Sequence, residues 1–337
     1  MAQVDLGIDF GSASIIFYGR GRGIILNEPS VIAVDRESRH VLAVGTSARK
    51  MLGRAPGNIE VMHPLKNGVV NDFEMASALL RYFVAQVVGK HLFGGPRVIL
   101  SLPSGVNEVE RHSLTTALFE AGVRRTQIME RTVAAAIGAE LPLKEAYGQM
   151  LVDIGGGMTE IAVLSQGRPI VRDSIEVAGD SFDEAIIRYI RRKHNLLIGE
   201  VTAQDIKESN GSAMPVAEPV TLSVTGRSLI SGLPKVLQLS SDELTEAIDD
   251  PLQQLIENIH SVLEHTPAEL AADIFDSGIV LTGGGALLNG LAEAVSIALK
   301  IGCRTADNPQ ECIARGCGMT LESLKDYGRY LGTGKRR

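Results

Sequence analysis

Cysteine is scarce in this chain: only Cys303, Cys312 and Cys317 occur in 337 residues. Odd in number, clustered late and without metal-type spacing to histidine, they exclude a disulfide framework and a zinc site. They read as buried thiols in a reducing compartment. A basic surplus is also missing, since 40 acidic residues outnumber 33 basic ones for a net charge of −7. That balance argues against nucleic acid as the main partner. No run of about 18 apolar residues is present, so no membrane-crossing helix is expected. Met1-Ala2-Gln3-Val4-Asp5 does not read as a signal peptide, and neither a low-complexity tract nor a long linker interrupts the sequence. The expectation is a cytoplasmic chain, long enough for two domains and a large core.

What the chain does have is one device used twice. Leu6-Gly7-Ile8-Asp9-Phe10-Gly11-Ser12 is followed by the apolar run Ile15-Ile16-Phe17-Tyr18. Far downstream, Leu151-Val152-Asp153-Ile154-Gly155-Gly156-Gly157 is followed by Ile161-Ala162-Val163-Leu164. Each reads as a buried strand, an aspartate near its end, a glycine turn and a returning strand. Such a turn presents successive backbone N–H groups to one side and can bind phosphate oxygens. Asp9 and Asp153 are the hard oxygen ligands that a phosphate-bound Mg²⁺ needs, usually through its waters. Two such hairpins imply two similar half-domains with a nucleotide clamped between them. A third glycine turn, Gly283-Gly284-Gly285-Ala286, follows the strand-like Gly278 to Thr282 and precedes a helical pattern from Leu287 to Lys300. Glycines at a helix start allow backbone to approach a ligand closely.

Strands and helices alternate along the chain, which predicts an α/β fold. Strand-like runs cover Ser30 to Val34, Val41 to Val44 and Arg97 to Leu102; helical patterns cover Phe73 to Gly89, Asn107 to Ala121 and Val133 to Ala139. Ser181-Phe182-Asp183-Glu184 reads as a capping box that opens a helix to about His194. Thr202-Ala203-Gln204-Asp205 starts a shorter helix, and Ser240-Ser241-Asp242-Glu243 one that reaches about His265. Residues 211–235 read as a small inserted lobe, with a counterpart at about 30–63.

These features together resemble the actin, heat-shock chaperone and sugar-kinase ATPase superfamily, and within it the MreB family of bacterial actin-like proteins. The resemblance rests on the first strand and on Leu26-Asn27-Glu28-Pro29-Ser30-Val31, Val41-Leu42-Ala43-Val44-Gly45 and Met51-Leu52-Gly53-Arg54. It continues through Pro56-Gly57-Asn58-Ile59, Pro64-Leu65-Lys66, Asp153 to Gly157, Asn195 to Glu200 and Leu281 to Leu287. It implies two similar α/β domains, each with a smaller subdomain, and ATP in the cleft between them. The implied division is 1–29 with 64–143 and 315–337, 30–63, 144–178 with 240–314, and 179–239.

Carried over by position, the resemblance assigns Gly11, Ser12, Ala13 and Ser14 to the first phosphate turn, where the family has Gly-Thr-Ala-Asn. Gly155, Gly156 and Gly157 match the second turn. Gln204, Asp205, Lys207 and Glu208 match the segment facing adenine and ribose, and Gly283, Gly284, Gly285 and Ala286 the turn under the nucleoside. Leu92 and Phe93 match a hydrophobic membrane-insertion loop. Two positions depart from the pattern. Arg131 replaces the glutamate that the resemblance assigns to positioning the attacking water, and Met158 replaces the first threonine after the triple glycine. Arginine cannot accept a proton at neutral pH, and a thioether is a poor hydrogen-bond partner for water. Glu130 and Thr159 are the available substitutes, and Arg131 could instead reach the γ-phosphate.

The resemblance therefore implies an ATP- and Mg²⁺-binding protein of cell shape. It would form paired protofilaments at the inner face of the plasma membrane, contact cell-wall synthesis proteins, and hydrolyse ATP weakly or not at all. A fully active filament ATPase is the first alternative, and a small-molecule kinase of the same fold a more distant one. Whether the chain assembles alone or with an active paralogue is left open.

Overall fold

The computed structural model describes residues 5–88, 95–102 and 106–332. The chain divides into two compact units. One comprises Met1–Ala146, Ser165–Pro169 and Gln310–Arg337; the other comprises Tyr147–Leu164 and Ile170–Pro309.

The first unit opens with β1 (Leu6–Phe10), β2 (Ser14–Gly19) and β3 (Gly23–Pro29) as an antiparallel run. A small lobe follows, made of β4 (Ile32–Asp35), β5 (Val41–Val44), α1 (Gly45–Arg49) and β6 (Ile59–Met62). The hairpin of β7 (Leu65–Lys66) and β8 (Val69–Val70) leads to α2 (Phe73–Val88). Next come β9 (Arg97–Leu102), α3 (Glu108–Glu120), β10 (Arg125–Glu130) and α4 (Arg131–Gly138). β1, β9 and β10 pair in parallel. Alternation along β1 sorts its two faces. Leu6, Ile8 and Phe10 pack with Leu79, Phe83, Leu114 and Leu118 in one core, while Gly7 and Asp9 point to the other face. Burying each large aliphatic or aromatic side chain there contributes about 1.5–3 kcal/mol.

The second unit repeats the plan. It contains β11 (Gln149–Ile154), β12 (Thr159–Ser165), β13 (Arg168–Ile175), α5 (Gly179–His194), β14 (Leu196–Leu197) and α6 (Glu200–Asn210). β15 (Thr221–Ser228), β16 (Pro234–Ser240), α7 (Ser241–Glu264), α8 (Ala268–Ser277), β17 (Ile279–Thr282), α9 (Leu291–Leu299) and β18 (Cys303–Thr305) complete it. The chain then returns to the first unit as α10 (Cys312–Glu322), α11 (Leu324–Tyr327) and β19 (Leu331–Gly332). Met150, Val152 and Ile154 bury against Phe182, Ile186 and Ile190, and Asp153 faces the other way.

The duplication is visible in the strand order. β3-β2-β1-β9-β10 in one sheet corresponds place for place to β13-β12-β11-β17-β18 in the other. β14, β15 and β16 form a separate three-stranded sheet, as β5, β4 and β6 do in the first unit. The sequence reading expected inserted lobes at about 30–63 and 211–235; the small sheets span Ile32–Met62 and Leu196–Ser240.

Several element starts differ from the sequence reading. α5 begins at Gly179 after Ala178, so Ser181 lies inside its first turn and its hydroxyl donates to the Glu176 carbonyl at 3.0 Å. α6 begins at Glu200, two residues before Thr202. The helical pattern from Leu287 resolves into a short 3₁₀ turn, Gly284–Leu287, and α9 from Leu291. β4 begins at Ile32, where Ser30 was expected. The capping box at Ser240 holds: its hydroxyl accepts from Glu243 N at 3.2 Å while Glu243 Oε2 accepts from Ser240 N at 3.2 Å.

Candidate functional site

In both units a glycine turn follows the aspartate-bearing strand with the same internal bond. Gly11 N donates to Ser14 O at 2.9 Å, and Gly155 N donates to Met158 O at 3.0 Å. The first turn is tied to its surroundings on two sides. Ser30 N donates to Ala13 O at 2.9 Å, and the Ser12 hydroxyl accepts from Gly68 N at 3.0 Å in the β7–β8 hairpin. The second turn rests on the start of α5, whose Gly179 and Asp180 amides donate to Gly155 O (3.1 Å) and Gly156 O (2.7 Å). A Cβ on Gly179 would lie 3.3 Å from Gly155 O, so this close approach sets where the helix can begin.

Asp9 is buried near the end of β1, and Arg131 opens α4. Arg131 Nη1 stands 3.1 Å from Asp9 Oδ1, with side-chain exposures of 13% and 5%. The guanidinium also lies against the first glycine turn, since a Cβ built on Gly11 would be 3.6 Å from Arg131 Nη2. Beside Asp9 in the β1–β9 register, the buried Ser101 hydroxyl has no protein partner. The neighbouring Cys317 thiol is held well above its ordinary pKa, first by burial and then by the negative field of Asp9. Arg131 thus pairs with a carboxylate through Nη1 while Nη2 lies beside the first glycine turn.

Asp153, the matching residue of the second unit, accepts from the buried Thr282 hydroxyl at 3.0 Å. The third glycine turn starts immediately after Thr282. Gly283 has φ +82° and its amide donates to Pro309 O at 2.8 Å. A Cβ on Gly283 would lie 2.2 Å from Ile154 O, and one on Gly285 would lie 2.4 Å from Ile154 Cγ2. Close packing on β11 alone thus accounts for these two glycines. A Cβ on Gly284 would meet nothing within 4 Å, so its backbone is open. Ala286 is buried.

The two substitutes that the sequence reading offered, Thr159 and Glu130, fare differently. Thr159 is fully buried and its hydroxyl donates to Val177 O at 2.6 Å, which commits its proton. Glu130 is half-buried and does not cap α4. Met158 is half-buried in the second turn.

Of the four residues expected near adenine and ribose, Gln204, Lys207 and Glu208 fall on one stripe of α6 and Asp205 lies beside it. Gln204 donates to Glu208 at 2.7 Å on one side of α6. Lys207 turns inward, donating to Gly179 O at 2.7 Å and Asp183 Oδ2 at 2.9 Å. Asp205 lines a cavity with Thr202, Ile206, Leu222 and Val224, against β15. Burial lifts the Asp183 carboxyl to about 6, against the opposing pull of Lys207. Leu92 and Phe93 lie outside the described residues.

Two features escaped sequence reasoning. The Arg131–Asp9 pair joins residues far apart in sequence, and no local pattern encodes it. α10 crosses α4 so closely that a Cβ on Gly138 would lie 1.8 Å from Cys312 O, and one on Gly316 1.8 Å from Ala134 O. That crossing places the start of α4, and with it Arg131, over the Asp9 face. The small residues Ala134, Ala135 and Gly138 were the available signal.

The residues around Asp9 do not fit a Mg²⁺ ion anchored there. A dication would have to share one carboxylate with a guanidinium at 3.1 Å, and like charges that close repel strongly. Among the described residues, no group of three His, Cys, Asp or Glu side chains is placed to hold a metal.

Residues 3–329 match the family described as MreB/Mbl protein. Cell shape-determining protein Mbl of Bacillus subtilis (strain 168) is 43% identical over 320 residues, which cover 95% of this chain and 96% of that protein. Cell shape-determining protein MreB of Escherichia coli (strain K12) is 44% identical over 333 residues, covering 97% and 96%. Among solved structures, MreB5 of Spiroplasma citri bound to ADP superposes with a TM-score of 0.91 at 32% identity, covering 97% of this chain and 99% of that one. The same protein bound to AMPPNP matches equally, at 0.91 and 32% over 98% and 99%. A MamK double helical filament shares the fold at a TM-score of 0.81 and 21% identity, over 95% and 99%. With its duplicated five-strand cores, its paired glycine turns and these full-length matches, the chain has the actin-like ATPase fold and belongs to the MreB/Mbl family.

Proposed function

We propose that this chain is a cell-shape protein that binds ATP through its glycine turns, polymerises into paired protofilaments, and hydrolyses ATP weakly. The observation that carries the nucleotide reading is the repeated turn after Asp9 and Asp153, together with relatives solved with ADP and with AMPPNP. Filament formation is supported by the MamK filament of the same fold and by the whole-length match to cell-shape proteins. In this reading the protein is cytoplasmic and works at the inner face of the plasma membrane alongside cell-wall synthesis proteins. Leu92 and Phe93, which match the family's hydrophobic loop, are read as its membrane contact. Two apolar side chains contribute only a few kcal/mol, so polymerisation must multiply the contact. Each unit is read as a large and a small subdomain, with the small ones at 30–63 and 179–239. Asp153 is the remaining carboxylate for a Mg²⁺ ion carried in with the nucleotide, since Arg131 occupies Asp9.

Weak hydrolysis follows from the residues at the two water-positioning places. Arg131 has no lone pair to accept a proton, Met158 offers only a thioether, and the Thr159 hydroxyl is spent on Val177. Electron microscopy and pelleting of the purified protein on liposomes, with and without ATP, test the assembly, and phosphate release in the same samples tests the chemistry. Filaments with little phosphate release are expected. Rapid release alongside assembly would mean an active filament ATPase, and ATP-independent monomers would overturn the assembly reading.

A further inference from the structure

We propose that Arg131 takes over the part of a divalent cation at the first phosphate turn, so that nucleotide binding by this chain needs little Mg²⁺. The inference rests on the nucleotide-binding reading above. Three observations in the first unit converge on it. The guanidinium is fixed by Asp9 at 3.1 Å and is largely buried. It lies against Gly11, the first residue of the turn whose amides would meet phosphate oxygens. It also occupies the carboxylate that would otherwise hold the water shell of a metal ion.

A guanidinium has five N–H donors in a fixed plane and carries its charge at any physiological pH. One edge can pair with Asp9 while another faces phosphate oxygens, which it recognises as well as it does carboxylates. A Mg²⁺ ion must be recruited from solution and keep several waters. Arg131 is already in place and largely buried, so it needs no recruitment from solution. Substituting glutamate at 131 would remove the internal cation and set two carboxylates side by side, a pair that only an added cation can bridge.

Titration of the full-length protein with a fluorescent ATP analogue, in excess Mg²⁺ and in excess EDTA, reads this directly. The wild-type affinity is expected to change by less than about threefold between the two conditions, and that of Arg131→Glu by at least about thirtyfold. Because Arg131→Glu could misfold, the neutral pair Asp9→Asn with Arg131→Gln serves as a second variant, with its thermal melt recorded without nucleotide. It is expected to melt as a folded protein and to bind at least about tenfold more weakly in EDTA than the wild type does. Wild-type binding that collapses in EDTA overturns the proposal and leaves the nucleotide reading intact. Wild-type-like binding in EDTA by either variant also overturns it. No binding in Mg²⁺ or in EDTA would remove the nucleotide reading as well.

Discussion

Thr282 Oγ1 donates to Asp153 Oδ1 at 3.0 Å, with both side chains buried. The aspartate at the same place in the other unit meets Arg131 instead. A hydroxyl lends its partner one hydrogen bond and no charge, whereas a guanidinium cancels a full unit of charge. Two strands of identical plan therefore end in electrostatically different groups, and the difference traces to one side chain at the start of α4.

Restoring the family's polar groups should raise ATP turnover. Arg131→Glu combined with Met158→Thr is expected to increase phosphate release under filament-forming conditions by about a hundredfold, the usual size of effect for a positioned acid–base group. Release measured with a phosphate-binding sensor decides it. No increase in a variant that still binds nucleotide would show that these positions do not limit the reaction.

Gly156→Val should lower nucleotide affinity by at least about tenfold, since a β-branched side chain would stand where backbone must approach phosphate. Its carbonyl also accepts the Asp180 amide at 2.7 Å at the opening of α5. Equilibrium binding beside a circular dichroism spectrum separates lost affinity from lost fold.

Gly316→Ala should destabilise the first unit. The added methyl would sit 1.8 Å from Ala134 O, against helix backbone that cannot step aside. Overpacking of this kind costs about 1–3 kcal/mol and occasionally more, so a fall of several degrees in Tm is expected. Differential scanning calorimetry gives the answer, and an unchanged melt would mean that α4 and α10 separate easily.

Asp183 gives a pH dependence with a definite sign. Its carboxyl ionises at about 6 in the folded chain, against an ordinary value of 3.8, because of burial. Below about pH 4 it is protonated folded or unfolded, and the difference has no effect. Between about pH 4 and 6 the unfolded chain gives up its proton first, so stability falls as pH rises. Above about pH 6 the loss is complete, at about 3 kcal/mol. Asp183→Asn should flatten this limb in urea unfolding at about pH 4 and pH 7, and an unaltered slope would mean that Lys207 holds the carboxylate ionised throughout.

The sequence was most legible where the signal is local. The glycine turns, the alternation in β1 and β11 and the Ser240 capping box each depend on residues a few positions apart. Two copies of one hairpin pointed to two similar half-domains, but the shared strand order became visible only in the structure. The start of α5 was not legible because its cap is tertiary: backbone carbonyls of Gly155 and Gly156 do what a capping side chain would. The split of Lys207 from Asp205 was hidden because a charge-rich helix such as α6 shows no clear apolar face. The Arg131–Asp9 pair was invisible because charge partners brought together by a sheet leave no trace in spacing. Only the oddness of an arginine at that position pointed to it.

The close crossing of α10 over α4 and β1 has a consequence for biosynthesis. Residues up to Pro309 include the whole second unit, while α10 begins only at Cys312. As the chain leaves the ribosome, the second unit can complete its core with every strand available. The first unit cannot, because α10 must still arrive: Cys317 and Gly318 cover Gly7, and Gly316 packs on Ala134 of α4. The half of the protein that is translated first is thus finished last, and a chain stalled before α10 would leave α4 and the Gly7 and Asp9 face of β1 uncovered for chaperones to meet.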